Sequence, residues 1–328
     1  MSVNKSTKIW LNYTVGAAIS LSLLWAIYVQ INKQLNGIDG FAWQHCGRPI
    51  YLLVALALVL VNIFLESYKW YSLMSWAAPV KYTTALASYF AGITFSIITP
   101  NRVGEYPGRI LYLGGSNTIR YLVVSVSGIL GQLAGIYFLG LVGLTYYHLH
   151  ILSAGDTMIG KIFITAIMAK GVLAVCIIIN ILIAIMYWRS DVWLPLIATS
   201  KRLRRFSLYS KLMSRIDNSN KMKVLVLSLL RVLVFTAQFL FLLLWLNVNV
   251  PLLQGFCMAA LFFWVMAVVP SLALTELGIR GVVGLYIFGQ VSQNSVGVLV
   301  ATTSIWVINL VLPAIIGSIL ITKKKWVK

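Results

Sequence analysis

Two short stretches place acid and base at helical spacing in an otherwise apolar chain: TPNRVGEYPGR (residues 99–109) and VPSLALTELGIR (residues 269–280). Glu105 precedes Arg109 by four residues, and Glu276 precedes Arg280 by four. That order suits an ion pair on one helical face. Pro100 and Pro270 lack an amide hydrogen and disfavour helix just before them, so each ends the helix that approaches it. A new helix can restart within 99–104 and within 271–275, with Asn101 and Thr275 as N-caps. Each Glu then lies in a first turn, where the helix dipole favours negative charge. Pro107 is tolerated there because first-turn amides have no intrahelical acceptor. Pro100, Pro107, Pro270, Gly104 and Gly278 are thus read as structural breaks.

Two kinds of chemistry fit this pattern. The pairs could neutralise themselves and pin the chain. Alternatively, two helix amino termini with an Arg on each could bind an anion, because helix amides attract phosphate and a guanidinium binds it through parallel hydrogen bonds. A charge near the middle of a bilayer costs roughly 2.5–3.5 kcal/mol, and a pin could be built from Ser, Thr and Asn, so cost favours the anion site. Arg109 and Arg280 are its expected phosphate ligands, with Arg102 beside them. Glu105 and Glu276 then balance the charge or carry a proton, and the sequence leaves both roles open. Lys170, inside an apolar run, is expected to face the same interior, with Glu66, Glu105 or Glu276 as partner.

The elements that must hold these residues are membrane helices. Of 328 residues 60% are hydrophobic and only seven are acidic, more apolar surface than a water-soluble domain of this size can bury. The net charge of +19 lies mostly between apolar segments, which fits membrane topology and argues against nucleic acid. Apolar segments fall at about 8–30, 50–66, 83–99, 120–146, 158–188, 224–247, 252–269 and 281–321, the last broken near 289–295. The first is read as a retained helix rather than a cleaved signal.

Segments 83–99 and 252–269 are short and run into the charged stretches. If each folds back as a re-entrant hairpin (about 83–118 and 252–290), six full spans remain and twenty Lys and Arg share one face. The other face then holds two, Lys33 and Arg48. If every segment crosses, the best split is fourteen to eight with the Lys-rich tail outside, so the positive-inside bias favours hairpins. The fold class is therefore an all-α polytopic membrane protein of about six spans and two oppositely oriented hairpins. It forms one membrane domain of two inverted halves, 1–150 and 151–328. Both termini are expected in the cytoplasm.

Other features have plainer readings. Cys46, Cys176 and Cys257 are too scattered for a disulfide framework or a metal site. His148, His150 and Asp156 are expected at the interface without a metal. Gly131 and Gly135 have the GxxxG spacing of a close helix contact, within the chain or in a homodimer. The basic run at 201–205 suits anionic headgroups. No Walker, Rossmann, GxSxG or HExxH motif appears, so no cofactor is expected, and proton coupling is preferred to ATP for uphill work.

Thr99, Pro100, Gly104, Glu105 and Arg109, with Pro270, Gly278 and Arg280, resemble the transmembrane, flippase-like region of the lysylphosphatidylglycerol synthase or multiple peptide resistance factor family. Here Glu276 precedes Arg280 and Gly281 follows it, where members often carry an acid after the Arg and a Gly-rich stretch after the Pro. The resemblance implies a stand-alone member without the synthase domain, in a bacterial inner membrane, whose partners are membrane lipids. It would bind an anionic headgroup, of a phospholipid or a polyprenyl phosphate, in a central cavity and move it between leaflets. The alternative is an enzyme or accessory factor of lipid or lipid-linked glycan modification.

Overall fold

The computed structural model describes residues 46–97, 99, 102–151, 157–159, 162–164, 166–197, 216–269 and 273–324. The expected span at 8–30, Pro100, Asn101, Pro270, Asp156 and the basic run at 201–205 lie outside these residues.

The chain is an α-helical membrane protein. Its helices are α1 (Pro49–Ala77), α2 (Tyr82–Ser96), α3 (Glu105–Leu113), α4 (Thr118–His150), α5 (Ala166–Trp188), α6 (Ser190–Ile197), α7 (Asn218–Trp245), α8 (Leu252–Val268), α9 (Ala273–Phe288), α10 (Ser295–Trp306) and α11 (Leu312–Thr322). Residues Val307–Val311 join α10 to α11 as a π-helical turn, so 295–322 is one continuous element. Among the described residues five elements are long and apolar enough to cross a membrane: α1, α4, α7, residues 170–188 of α5, and α10 through α11. They correspond to five of the six expected full spans. Helices α2 and α8, at 15 and 17 residues, correspond to the two short apolar segments.

Local chemistry explains several boundaries. Pro49 opens α1, where a missing amide hydrogen removes no helical bond. Gly114 and Gly115, at φ of +63° and +84°, turn the chain between α3 and α4 in a conformation that suits glycine. Asn294 caps α10 by accepting a hydrogen bond from the Gly297 amide at 2.8 Å.

Three expectations are corrected here. The apolar run from 158 is helical only from Ala166; ahead of it β1 (Thr157–Ile159) pairs antiparallel with β2 (Ile162–Ile164), Met158 opposite Phe163. Helix α1 continues eleven residues past Glu66 to Ala77, through residues read as the start of a loop. Thr275 lies within α9, which starts at Ala273, so it is not the N-cap.

Packing ties the two halves of the chain together. Helix α1 lies along α7, α2 along α11, and α8 along α4. The largest core cluster joins Phe239, Leu242, Phe262, Phe263, Phe288 and Ile305 from α7, α8, α9 and α10. A second joins Trp70, Leu73, Ile110, Tyr121 and Val224 from α1, α3, α4 and α7. Gly131 and Gly135 face Ser228, Val232 and Leu229 of α7, so that pair of glycines serves packing within the chain. The outward face of α5 exposes Val175, Ile178, Ile181, Leu182 and Ile185, as a lipid-facing helix does.

Candidate functional site

Both charged stretches form the helical pairs their spacing implies. Arg109 donates to Glu105 within α3. Arg280 donates from Nε and Nη2 to Glu276 Oε1 within α9, at 3.0 and 2.7 Å. Pro107 is the third residue of α3, inside its first turn, and Gly104 precedes the helix. The Gly104 amide donates to Thr99 Oγ1 at 2.8 Å, which satisfies one exposed helix-end donor.

Around Arg109 the fold closes completely. Its side chain is 0% exposed, and its guanidinium carbon lies 5.1, 5.1 and 5.0 Å from the ring centres of Trp70, Tyr89 and Tyr106. The ring faces supply the negative potential that its unbonded Nε and Nη1 lack in hydrogen bonds. Trp70 is fixed in turn by donating to Ser88 at 2.8 Å. Such proximity needs glycine: a Cβ on Gly92 would strike Arg109 Cγ and the Glu105 carbonyl, and one on Gly108 would come within 2.6 Å of Phe95.

Arg109 also reaches Glu66 of α1 at 2.9 Å, and that carboxylate is the centre of a larger network. Lys69 approaches it at 2.7 Å and Arg231 of α7 at 3.2 Å. Gln132 of α4 accepts from Lys69 (2.9 Å) and Arg231 (3.1 Å). Arg231 Nε donates to Asn62, Asn62 to Asn309 in the π-turn, and Asn309 to Gln238, each at 3.0–3.1 Å. A line of charged and amide side chains thus crosses the apolar interior. Arg231 is the fourteenth of the 28 residues of α7, so about 20 Å from either end at roughly 1.5 Å per residue. Its side chain is nonetheless 23% exposed.

The second stretch joins the first through one ion pair. Arg102, just before α3, donates to Glu276 Oε1 at 3.0 Å, so this carboxylate holds Arg102 and Arg280 together. Arg102 is in the left-handed region at φ +58°, a conformation that costs a residue with a Cβ about 1–2 kcal/mol. Leu277, next to Glu276, packs in one cluster with Tyr89, Ile97, Trp306 and Leu310. The amino-terminal ends of α3 and α9 therefore meet, with one layer of apolar side chains beside them.

Of the residues expected in the site, Arg102, Glu105, Arg109, Glu276 and Arg280 come together in this way. Lys170 does not. It is exposed in the second turn of α5, apart from the network, which suits a side chain reaching toward a membrane surface. Gly278 is no break either: it lies inside α9, and a Cβ there would meet nothing within 4 Å among the described residues. Sequence reasoning missed Asn62, Lys69, Gln132, Arg231, Gln238 and Asn309. Asn62, Glu66 and Lys69 follow the i, i+4, i+7 spacing of one helical face, a signal hidden by ending the span at residue 66. A lone Arg in mid-span was the other available signal.

Five apolar elements of spanning length around a charged interior define a polytopic membrane protein. The chain belongs to the family described as the lysylphosphatidylglycerol synthase TM region, whose family model matches residues 13–317. Membership ties it to the modification or flipping of membrane lipids. No curated protein matches it significantly.

Proposed function

We propose that the protein binds an anionic lipid headgroup among its helices and carries the lipid between leaflets. The observation that carries this reading is the Arg102–Glu276 bridge, which draws the two charged stretches into one interior region. Cations outnumber acids there: Lys69, Arg102, Arg109, Arg231 and Arg280 stand against Glu66, Glu105 and Glu276. An unbalanced positive charge in an apolar interior is costly, and a phosphate supplies the missing negative charge.

In this reading α2 with α3 and α8 with α9 are re-entrant hairpins entering from opposite faces. Reciprocal packing supports two inverted halves: α2 lies on α11 as α8 lies on α4, while α1 and α7 lie on each other. The membrane is a bacterial inner membrane and both termini are cytoplasmic. Impermeant labelling tests the topology: Cys46 reacts from outside, and Asn218→Cys from inside. Labelling of both from one face ends the hairpin arrangement.

Function is tested by reconstitution into vesicles with lipids fluorescent at an anionic headgroup. Wild-type protein equilibrates the lipid across leaflets, and Arg280→Ala inserts normally but does not. Unchanged leaflet distribution with a covalently altered lipid would replace transport by enzymology. Full activity of Arg280→Ala would remove this region from function.

A further inference from the structure

We infer that the π-helical turn Val307–Val311 is a hinge, on which α10 with the second charged stretch swings against α11 with the first, and that the Asn309 amide latches it. The hinge belongs to the fold alone; its use in lipid movement rests on the reading above.

Sequence explains the turn. In an unbroken α-helix the Asn309 carbonyl would accept from the amide at position 313, and that residue is Pro313. Proline has no amide hydrogen to give, and its ring crowds the carbonyl four residues back. The helix widens to take up the mismatch: the Leu312 amide donates to the Val307 carbonyl, five residues back rather than four. A widened turn beside a proline is where a helix bends most readily.

The element changes partners at this turn. Before it, Val298, Ala301 and Ile305 pack in the core cluster of α7, α8 and α9. Asn294 fastens the start of α10 to the end of α7 by donating to the Leu246 carbonyl at 2.9 Å. After it, Leu310, Val311 and Ala314 pack in the cluster that holds Tyr89 and Ile93 of α2. Thr94 Oγ1 donates to the Ala314 carbonyl at 3.0 Å, and a Cβ on Gly317 would strike the Phe90 carbonyl, so α11 and α2 touch backbone to backbone. Just past α11, the Lys324 ammonium lies 4.1 Å from the ring centre of Tyr112 in α3.

Two bodies result. One is α9 with α10, carrying Glu276 and Arg280; the other is α2 with α3 and α11, carrying Arg109 and Glu105. They meet at the Arg102–Glu276 pair and where Leu277 joins the α2 cluster. The π-turn is the continuous backbone between them.

The latch sits at the centre of the turn. Asn309 Oδ1 accepts from Asn62 of α1 at 3.0 Å, and Nδ2 donates to Gln238 of α7 at 3.0 Å and to the Ile305 carbonyl at 3.1 Å. One amide thus holds the turn to two helices at once. These bonds join neutral groups and are about half as strong as the charge-assisted ones around Glu66, one turn along α1. The latch is therefore the part of the interior network that releases first.

The test is a distance measurement between spin labels by pulsed electron resonance. The full-length protein, with its three cysteines replaced by serine, carries labels at Val296→Cys and Ile319→Cys, both exposed, in nanodiscs of mixed zwitterionic and anionic lipid. The labelled positions flank the turn and lie about 35 Å apart along a straight helix. With the native turn the distribution should hold two populations. Pro313→Ala restores the α-helical donor and should collapse it to one, and Asn309→Leu should shift the weight between the two. Asn309→Ala serves if the Leu variant does not insert. In vesicles Pro313→Ala should slow lipid movement by about tenfold, because one of the two states is lost. A single population with the native turn overturns the hinge, and so do two populations that persist in Pro313→Ala. An unchanged distribution in the Asn309 variants overturns the latch. Wild-type lipid movement in a collapsed Pro313→Ala protein overturns the role of the hinge and leaves the transport reading standing. If the distances behave as expected but no lipid moves even in the wild type, the hinge stands and the transport reading fails.

Discussion

The two charged stretches share a leading Pro and a Glu–Arg pair four residues apart, and they are opposites in setting. In the first, α3 lies flat on α2, Gly92 and Gly108 bring the backbones together, and Arg109 is enclosed by three aromatic rings. In the second, α9 packs mainly on α10 rather than on the helix before it, and Gly278 faces open space. There Arg280 meets one carboxylate, shared with Arg102, whose side chain is 28% exposed. An identical i,i+4 pair is therefore a closed anchor in one half and a more open junction in the other. Helical spacing makes the pair in both; what surrounds it decides whether the charge is committed or can be reached.

Breaking the anchor should have the largest effect. Arg109→Met removes one of three cations around Glu66 and the cation paired with Glu105, and truncating one side of a buried pair costs about 3–5 kcal/mol. Thermal unfolding in detergent should show this as a large loss of melting temperature or of monodisperse protein. An unchanged Tm would mean that the enclosure contributes little.

Glu276→Gln asks the same question of the junction. It leaves Arg280 and Arg102 without their shared charge, but Arg102 is 28% exposed and the glutamine keeps a carbonyl that accepts from the buried Arg280, so the expected loss is about 1–3 kcal/mol. The protein should purify at wild-type yield and lose lipid movement in vesicles. Loss of folding as severe as in Arg109→Met would erase the contrast.

Smaller changes sharpen it. Ala at Gly92 should destabilise, because its Cβ would meet Arg109 and the Glu105 carbonyl. Ala at Gly278 has room and should stabilise α9 by about 0.5–1 kcal/mol. Opposite shifts in melting temperature are the expected readout, and shifts of the same sign would contradict the packing difference. Arg102→Gly should move stability least, since it removes a partly exposed pair worth about 0–1 kcal/mol while relieving a strained φ. It should still slow lipid movement, because it uncouples the two stretches; wild-type transport would show that the bridge is incidental.

Five apolar spans, the two short helices and both i,i+4 pairs were legible from spacing alone, because each depends on residues within a few turns of one another. The family was legible for a related reason: Thr99, Pro100, Gly104, Glu105, Arg109 and their partners at 270–280 are local patterns. Misreadings arose where neighbours in space outweighed neighbours in sequence. Lys69 looks like a loop cation until α1 is seen to carry it beside Glu66 and Gln132. Lys170 looks interior because apolar residues flank it, yet a β-hairpin shortens its helix and leaves it near an end.

By itself the sequence determined that this chain lies in a membrane, that two short helices end ahead of the charged stretches, and that each stretch pairs its Glu with its Arg along one turn. Periodicity, proline and charge act over a few residues, so no tertiary knowledge is needed to read them. Only the tertiary structure decided that Glu66 gathers Lys69, Arg109 and Arg231 from three helices, and that Arg102 reaches across 174 residues of chain to Glu276. Partners of buried charges are set by the packing of apolar faces. Those faces are similar along the whole chain, so nothing local specifies which of them will meet.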